Sequence, residues 1–177
     1  MLAKEDKGLY KAVTVTLQEA LEDRYPRETQ VFAGRTVEHD PFRIYIVRDG
    51  ETVFYIGKSS RGISARLEQH IEGYSRLGNL IANNWPGSGA WQVELVDQAD
   101  CLPAIRAAIP GYARDSSEST LAIDTAEKAL IRLMRPYLNA THNESEYPLP
   151  ARYVTTEQLE KGKAAANLRM TPYRGRN

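Results

Sequence analysis

Two tyrosines, an arginine–histidine pair, a lysine and a late glutamate are the residues of this chain whose types and spacing suit chemistry. In "FRIYIVRDGETVFYIGKSS", positions 42–60, Tyr45 and Tyr55 flank an Asp49-Gly50 pair. Two phenols brought together can act as acid–base groups. Arg66 and His70 follow four residues apart, so on a helix a guanidinium stacks beside an imidazole. The first is a planar fork matched to phosphate oxygens, and the second titrates near neutral pH. Lys58 adds a cation just after Tyr55, and adjacent cations favour phenolate, so Lys58 and Arg66 are expected to ease deprotonation of a nearby phenol. Glu127 shares an i, i+4, i+7 face with Ile131 and Met134, which turns its carboxylate toward packed structure. Asp124-x-x-Glu127 also has the spacing of a capping box, in which the glutamate only satisfies a backbone donor. The strand tyrosines likewise have a plain alternative in core packing, and Arg66 in solvation.

These groups need elements to hold them. "FRIYIV" and "TVFYIG" are β-branched and aromatic runs around a turn, the strongest hairpin signal in the chain. A two-residue Asp49-Gly50 turn puts Tyr45 opposite Phe54, with Tyr55 on the other face; a three-residue loop turns both phenols to one face. "SSRGISARLEQHIEGY" reads as a loop entering a helix, "LGNLIANNWPGSG" as a short helix and loop, and "AWQVELV" as a third strand. "ADCLPAIRAAI" gives another short helix, and 124–134 the clearest one, stopped by Pro136. The last helix starts at Thr155, with Gln158 at capping-box spacing. At the other end, Leu9, Val13, Leu17 and Leu21 recur every four residues and predict an amphipathic helix over 8–24, although "AVTVT" alternates as a strand does. A looser polar stretch then leads to Pro41.

Composition bounds the whole. A chain of 177 residues, 42% hydrophobic, can bury one sizeable core. Lys plus Arg and Asp plus Glu balance at 23 each, so no overall field draws the chain to nucleic acid or membrane, although a local basic groove remains compatible. A single cysteine, Cys101, rules out an internal disulfide and a multi-thiolate cage, and the three histidines form no local zinc motif. Trp91 alternates with Val93 and Leu95, as a core residue would. The expectation is a cytoplasmic protein with neither secretory signal nor membrane span.

"RIYIVRDGETVFYIGKSSRGISARLEQH", followed by "EKALIRLMRPYLN", resembles the GIY-YIG nuclease superfamily over residues 42–139. Its members are metal-dependent endonucleases of DNA repair, restriction, homing and mobile elements. The family's two tyrosines match Tyr45 and Tyr55, its "YIG" is intact through Gly57, its arginine and histidine match Arg66 and His70, its metal-binding glutamate matches Glu127, and the asparagine of Pro-x-x-Asn matches Asn139. One departure is Arg43, which stands where many members have glycine.

The order of elements, a hairpin, a helix, a third strand and further helices, gives an α+β fold, a small three-stranded antiparallel sheet flanked by helices and similar to that of GIY-YIG proteins. It sits within 41–140, with an N-terminal extension over 1–40 packed on it and a C-terminal helix and basic tail over 141–177. The resemblance implies a DNA endonuclease using Mg²⁺, with Mn²⁺ able to substitute, held by Glu127. Tyr45, more than Tyr55, takes the water's proton; Arg66 faces the phosphate; His70 relays the proton or holds a phenol; Asn139 orients the site, while Lys58 joins the catalytic set from its place beside the phenols and not from the family pattern. Expected partners are DNA and either a protein partner or a second copy. The alternatives are a weakly active DNA- or protein-binding module of this fold and an effector nuclease inhibited by a partner.

Overall fold

The computed structural model describes residues 3–112, 122–143 and 149–161. Its strands are β1 (Glu5–Asp6), β2 (Lys11–Thr16), β3 (Glu28–Phe32), β4 (Arg35–His39), β5 (Ile44–Asp49), β6 (Thr52–Lys58) and β7 (Gln92–Val96). The helices are α1 (Leu17–Leu21), α2 (Ile63–Glu72), α3 (Arg76–Asn84), α4 (Leu102–Ala108), α5 (Ile123–Met134) and α6 (Thr156–Lys161). Five strands form one antiparallel sheet in the order β1-β2-β7-β5-β6, while β3 and β4 form a separate hairpin.

The expected three-stranded sheet is therefore corrected. β5, β6 and β7 lie where the sequence puts them, but β2 extends the sheet by pairing Val13 with Leu95 and Val15 with Val93. The helix expected over 8–24 is corrected with it, because Val13, Thr14, Val15 and Thr16 are β-branched and lose side-chain freedom in a helix. The helix begins only at Leu17, where Thr16 and Glu19 form a reciprocal capping box. Val13, Leu17 and Leu21 do reach one core as their spacing suggests, the first from a strand and the others from a helix. The polar stretch before Pro41 contains β3 and β4, whose exposed Val31, Phe32 and Val37 carry no alternation toward a core.

The sheet is buried on both faces. Tyr45, Val47, Phe54, Val93 and Leu95 pack with α1, α2, α3 and α6. Ile44, Ile46, Val53, Ile56 and Val96 pack with α4 and α5. A strand covered on both sides has no polar face, which is why "FRIYIV" reads as an almost unbroken apolar run. Phe54 sits against Trp91 with ring centroids 4.5 Å apart and edge-on to Tyr153 at 4.8 Å, so Trp91 is core. α6 opens with the expected capping box, Thr155 and Gln158 exchanging bonds of 3.0 and 3.2 Å. The basic residues Lys163, Arg169, Arg174 and Arg176 lie outside the described residues. Among those described, no helix is long and apolar enough to cross a membrane.

One carboxylate is enclosed in this core. Glu94 of β7, 1% exposed, accepts Tyr10 Oη at 2.6 Å and Arg48 Nη1 at 3.2 Å, with Lys7 Nζ at 3.8 Å. Removing one partner of a buried pair leaves the others uncompensated. Glu94→Ala is expected to lower the unfolding free energy by about 3 kcal/mol, and Tyr10→Phe by about 1 kcal/mol, in urea titrations. A Glu94→Ala loss no larger than that of Tyr10→Phe would contradict this account.

Candidate active site

The hairpin decides where the phenols point. β5 and β6 pair Asp49 with Thr52 and Arg48 with Val53, leaving Gly50 and Glu51 as the loop. The register then shifts: Val47 faces Tyr55 and Tyr45 faces Gly57, so Phe54 is an extra residue in β6. This bulge, and not a longer loop, turns Tyr45 and Tyr55 to one face. Their ring centroids lie 6.1 Å apart. Gly57 gives Tyr45 its space, since a Cβ there would come within 2.4 Å of the Tyr45 oxygen.

β6 is the sheet's edge strand, and the chain after α5 seals it. Tyr137 N–H donates to Val53 O at 3.1 Å and Leu138 N–H to Phe54 O at 2.9 Å. Asn139 completes the seam: its Oδ1 accepts Ile56 N–H at 2.9 Å and its Nδ2 donates to Ile56 O at 2.8 Å. Asn139 thus braces the strand between the two tyrosines' turn and Gly57, and it does not line the cleft. Arg43 folds back and donates to the carbonyls of Asp40 and Phe42, both at 2.9 Å.

α2 lies over the phenol face and brings Arg66 and His70 to it. His70 is buried, with Nε2 2.9 Å from Tyr45 Oη and Nδ1 2.8 Å from Ser75 Oγ. Arg66 reaches both phenols and also donates to Gln69 Oε1 at 3.0 Å. From the sheet's other face, the start of α5 comes round the β6 edge. There Lys58 Nζ lies 3.0 Å from Glu127 Oε2 and bonds Asp124 as well. The cap of α5 is Ala122, so the capping-box alternative for Asp124 and Glu127 does not hold.

A cleft of about 530 Å³ results, lined by Tyr55, Lys58, Arg61, Arg66, Asp124 and Glu127 among others. Tyr45 is fully enclosed behind it. Two carboxylates meet at the cleft's end, and among the described residues no group of three or more His, Cys, Asp or Glu side chains is arranged to hold a metal ion.

The electrostatics reverse one expectation. Burial, and then the neighbouring Tyr55, push the Tyr45 phenol up, against the pull of Arg66. Burial also raises Tyr55, with Arg66 and Lys58 opposing it. Both phenols are therefore harder to ionise than a free one, because desolvation outweighs the nearby cations. Burial, aided by Arg66, pushes the His70 imidazole down to about 4. Asp124 and then Glu127 raise Lys58, and Lys58 lowers Asp124.

Of the charged and phenolic groups lining this cleft, Arg61 and Asp124's role as a partner of Lys58 are not read from the sequence, and neither is Ser75, which lies off the cleft against His70. Ser75 carries a readable helix-cap signal before α3, but its contact with His70 depends on how two helices meet. In comparisons with known proteins, no family model, curated protein or solved structure matches the chain.

Two measurements follow. The folded state holds His70 neutral at a depressed value, so the unfolded chain binds more protons between about pH 4 and 6.5 and stability falls as pH drops through that window. His70→Gln is expected to remove a loss of about 3 kcal/mol between those limits, read as the difference between urea curves of the two proteins; identical pH slopes would contradict a buried neutral imidazole. Gly57→Ala, which forces a methyl into the Tyr45 oxygen, is expected to cost about 1–3 kcal/mol, and unchanged stability would mean that the phenol does not lie over Gly57.

Proposed function

We propose that this chain is a divalent-metal-dependent endonuclease that hydrolyses DNA phosphodiester bonds with tyrosine-assisted activation of water. The observation that carries the proposal is the convergence of Tyr55, Lys58, Arg66 and Glu127, from a hairpin and two helices on opposite faces of the sheet, on one cleft. DNA as the substrate rests on the resemblance to GIY-YIG nucleases.

Hydrolysis needs a deprotonated water, a neutralised phosphate and a stabilised leaving oxygen. Arg66 offers a fork of N–H donors to phosphate oxygens, and Lys58 a second cation at the cleft. A divalent ion, Mg²⁺ or Mn²⁺ in its place, supplies charge neutralisation at the phosphate when bound. Glu127 would hold it with Asp124 alongside. The donor set fits a hard cation, because both ligands are carboxylates and together they already accept the Lys58 ammonium. Two carboxylates leave most of the shell to water and phosphate, so the fit favours an ion bound together with substrate.

Both phenols are neutral at physiological pH. A neutral phenol takes a proton from water only if it hands its own to a base, and the base touching Tyr45 is His70. Between Tyr45 and the cleft stand Tyr55 and Arg66; the step requires Arg66 to turn outwards onto a phosphate, which admits water to Tyr45 and takes from His70 one of the two influences that lower it. The hydroxide attacks phosphorus, the bond to the leaving oxygen breaks, and that oxygen is protonated by solvent.

A second reading, a binding module that does not cut, is favoured by the apolar Val31, Phe32 and Val37 exposed on the β3–β4 hairpin. One assay separates the two. Supercoiled plasmid is expected to be nicked by the wild-type protein with Mg²⁺ and not without it, and at least about 100-fold more slowly by Glu127→Ala of unchanged thermal stability. No nicking by the wild type would favour the binding module, and equal nicking by both proteins would remove Glu127 from the metal.

A further inference from the structure

We propose that Ser75 is a positioning residue for the Tyr45–His70 relay: its Oγ accepts His70 Nδ1–H and so keeps the imidazole in the tautomer whose Nε2 can take the phenol's proton. The role in turnover rests on the nuclease proposal; the tautomer assignment does not.

The direction of each bond follows from satisfying donors. Tyr45 Oη is enclosed, with His70 Nε2 at 2.9 Å and the Arg66 guanidinium as its partners. A guanidinium only donates. Among the described residues, the acceptor that meets the Tyr45 hydroxyl is Nε2, and a buried hydroxyl without an acceptor is costly. Nε2 is therefore unprotonated, and a neutral imidazole then carries its proton on Nδ1. That nitrogen lies 2.8 Å from Ser75 Oγ, so the serine oxygen accepts.

Ser75 has little freedom to drift from this position. Its Oγ also accepts Gly78 N–H at 3.1 Å as the cap of α3, filling both lone pairs and leaving its own proton to solvent on a half-buried residue. Its backbone N–H donates to His70 O at 3.1 Å. Gly78 closes the contact, because a Cβ there would fall 1.9 Å from that same carbonyl. The end of α2 and the start of α3 are thus docked through Ser75.

In the relay, once Arg66 has turned onto the phosphate and water reaches Tyr45 Oη, water's proton passes to that oxygen as the phenol's proton passes to Nε2, and the resulting imidazolium keeps its other N–H on Ser75. In the opposite tautomer Nε2 is already protonated and the phenol cannot discharge.

The test reads the tautomer directly. In ¹⁵N-labelled full-length protein near neutral pH, long-range ¹H–¹⁵N correlation is expected to show a protonated Nδ1 and an unprotonated Nε2 for His70. Ser75→Gly removes the hydroxyl while leaving a tolerated N-cap; it is expected to give a mixture of tautomers and about tenfold slower single-turnover cleavage. Ser75→Thr should restore both. A protonated Nε2 in the wild type, an unchanged tautomer in Ser75→Gly, cleavage indifferent to that change, or failure of threonine to rescue would each overturn the proposal. A wild-type protein with the expected tautomer and no cleavage would overturn the nuclease proposal and support the assignment alone.

Discussion

Phe54 is one residue more than β5 can pair with, and the sheet absorbs it as a bulge backed by the chain after α5 through Tyr137 and Leu138. Without that extra residue, strand alternation would put Tyr55 on the face opposite Tyr45. With it, both phenols face α2, and Phe54 itself enters the cluster of Trp91 and Tyr153. Burying such a ring contributes about 1.5–3 kcal/mol, so the core secures the irregularity that the site requires. A bulge also loosens the ladder and leaves edge carbonyls unpaired. Here Tyr137, Leu138 and Asn139 satisfy backbone groups of Val53, Phe54 and Ile56, and the same three residues follow directly from the helix that carries Glu127.

The edge position of β6 is equally consequential. A strand in the middle of a covered sheet cannot bring residues from both helical layers together, because the sheet separates them. At the edge, α2 on one face and α5 on the other line one cleft, where Lys58 at the end of β6 pairs with Asp124 and Glu127 of α5. The added strands β2 and β1 extend the opposite edge, leaving this one to the cleft.

Much of this was legible in the residues, and the omissions have physical causes. The β5–β6 hairpin, α2, β7 and α5 follow from local pattern, since each is a run with one dominant period. β2 was hidden because Val13, Leu17 and Leu21 reach one core through two element types, so helical spacing was present without a continuous helix. β3 and β4 were hidden because Val31, Phe32 and Val37 face solvent and leave no buried stripe. The bulge cannot be read from "TVFYIG", where every residue suits a strand; it depends on cross-strand register and on a segment 83 residues further along, which supplies Asn139 to Ile56. The phenol shifts run opposite to the sequence expectation because the cations are visible in the sequence and the depth of burial is not.

Cys101, at the foot of α4, is completely enclosed, and burial pushes its thiol up to about 12. As the chain's sole sulfhydryl, it has neither the access nor the thiolate fraction for alkylation while the helical layer of α4 and α5 stays docked. The protein therefore carries its own chemical clock for local opening on that side of the sheet. Trapping kinetics with a thiol reagent would register excursions of that layer separately from the tyrosine face, without adding a probe or changing a residue.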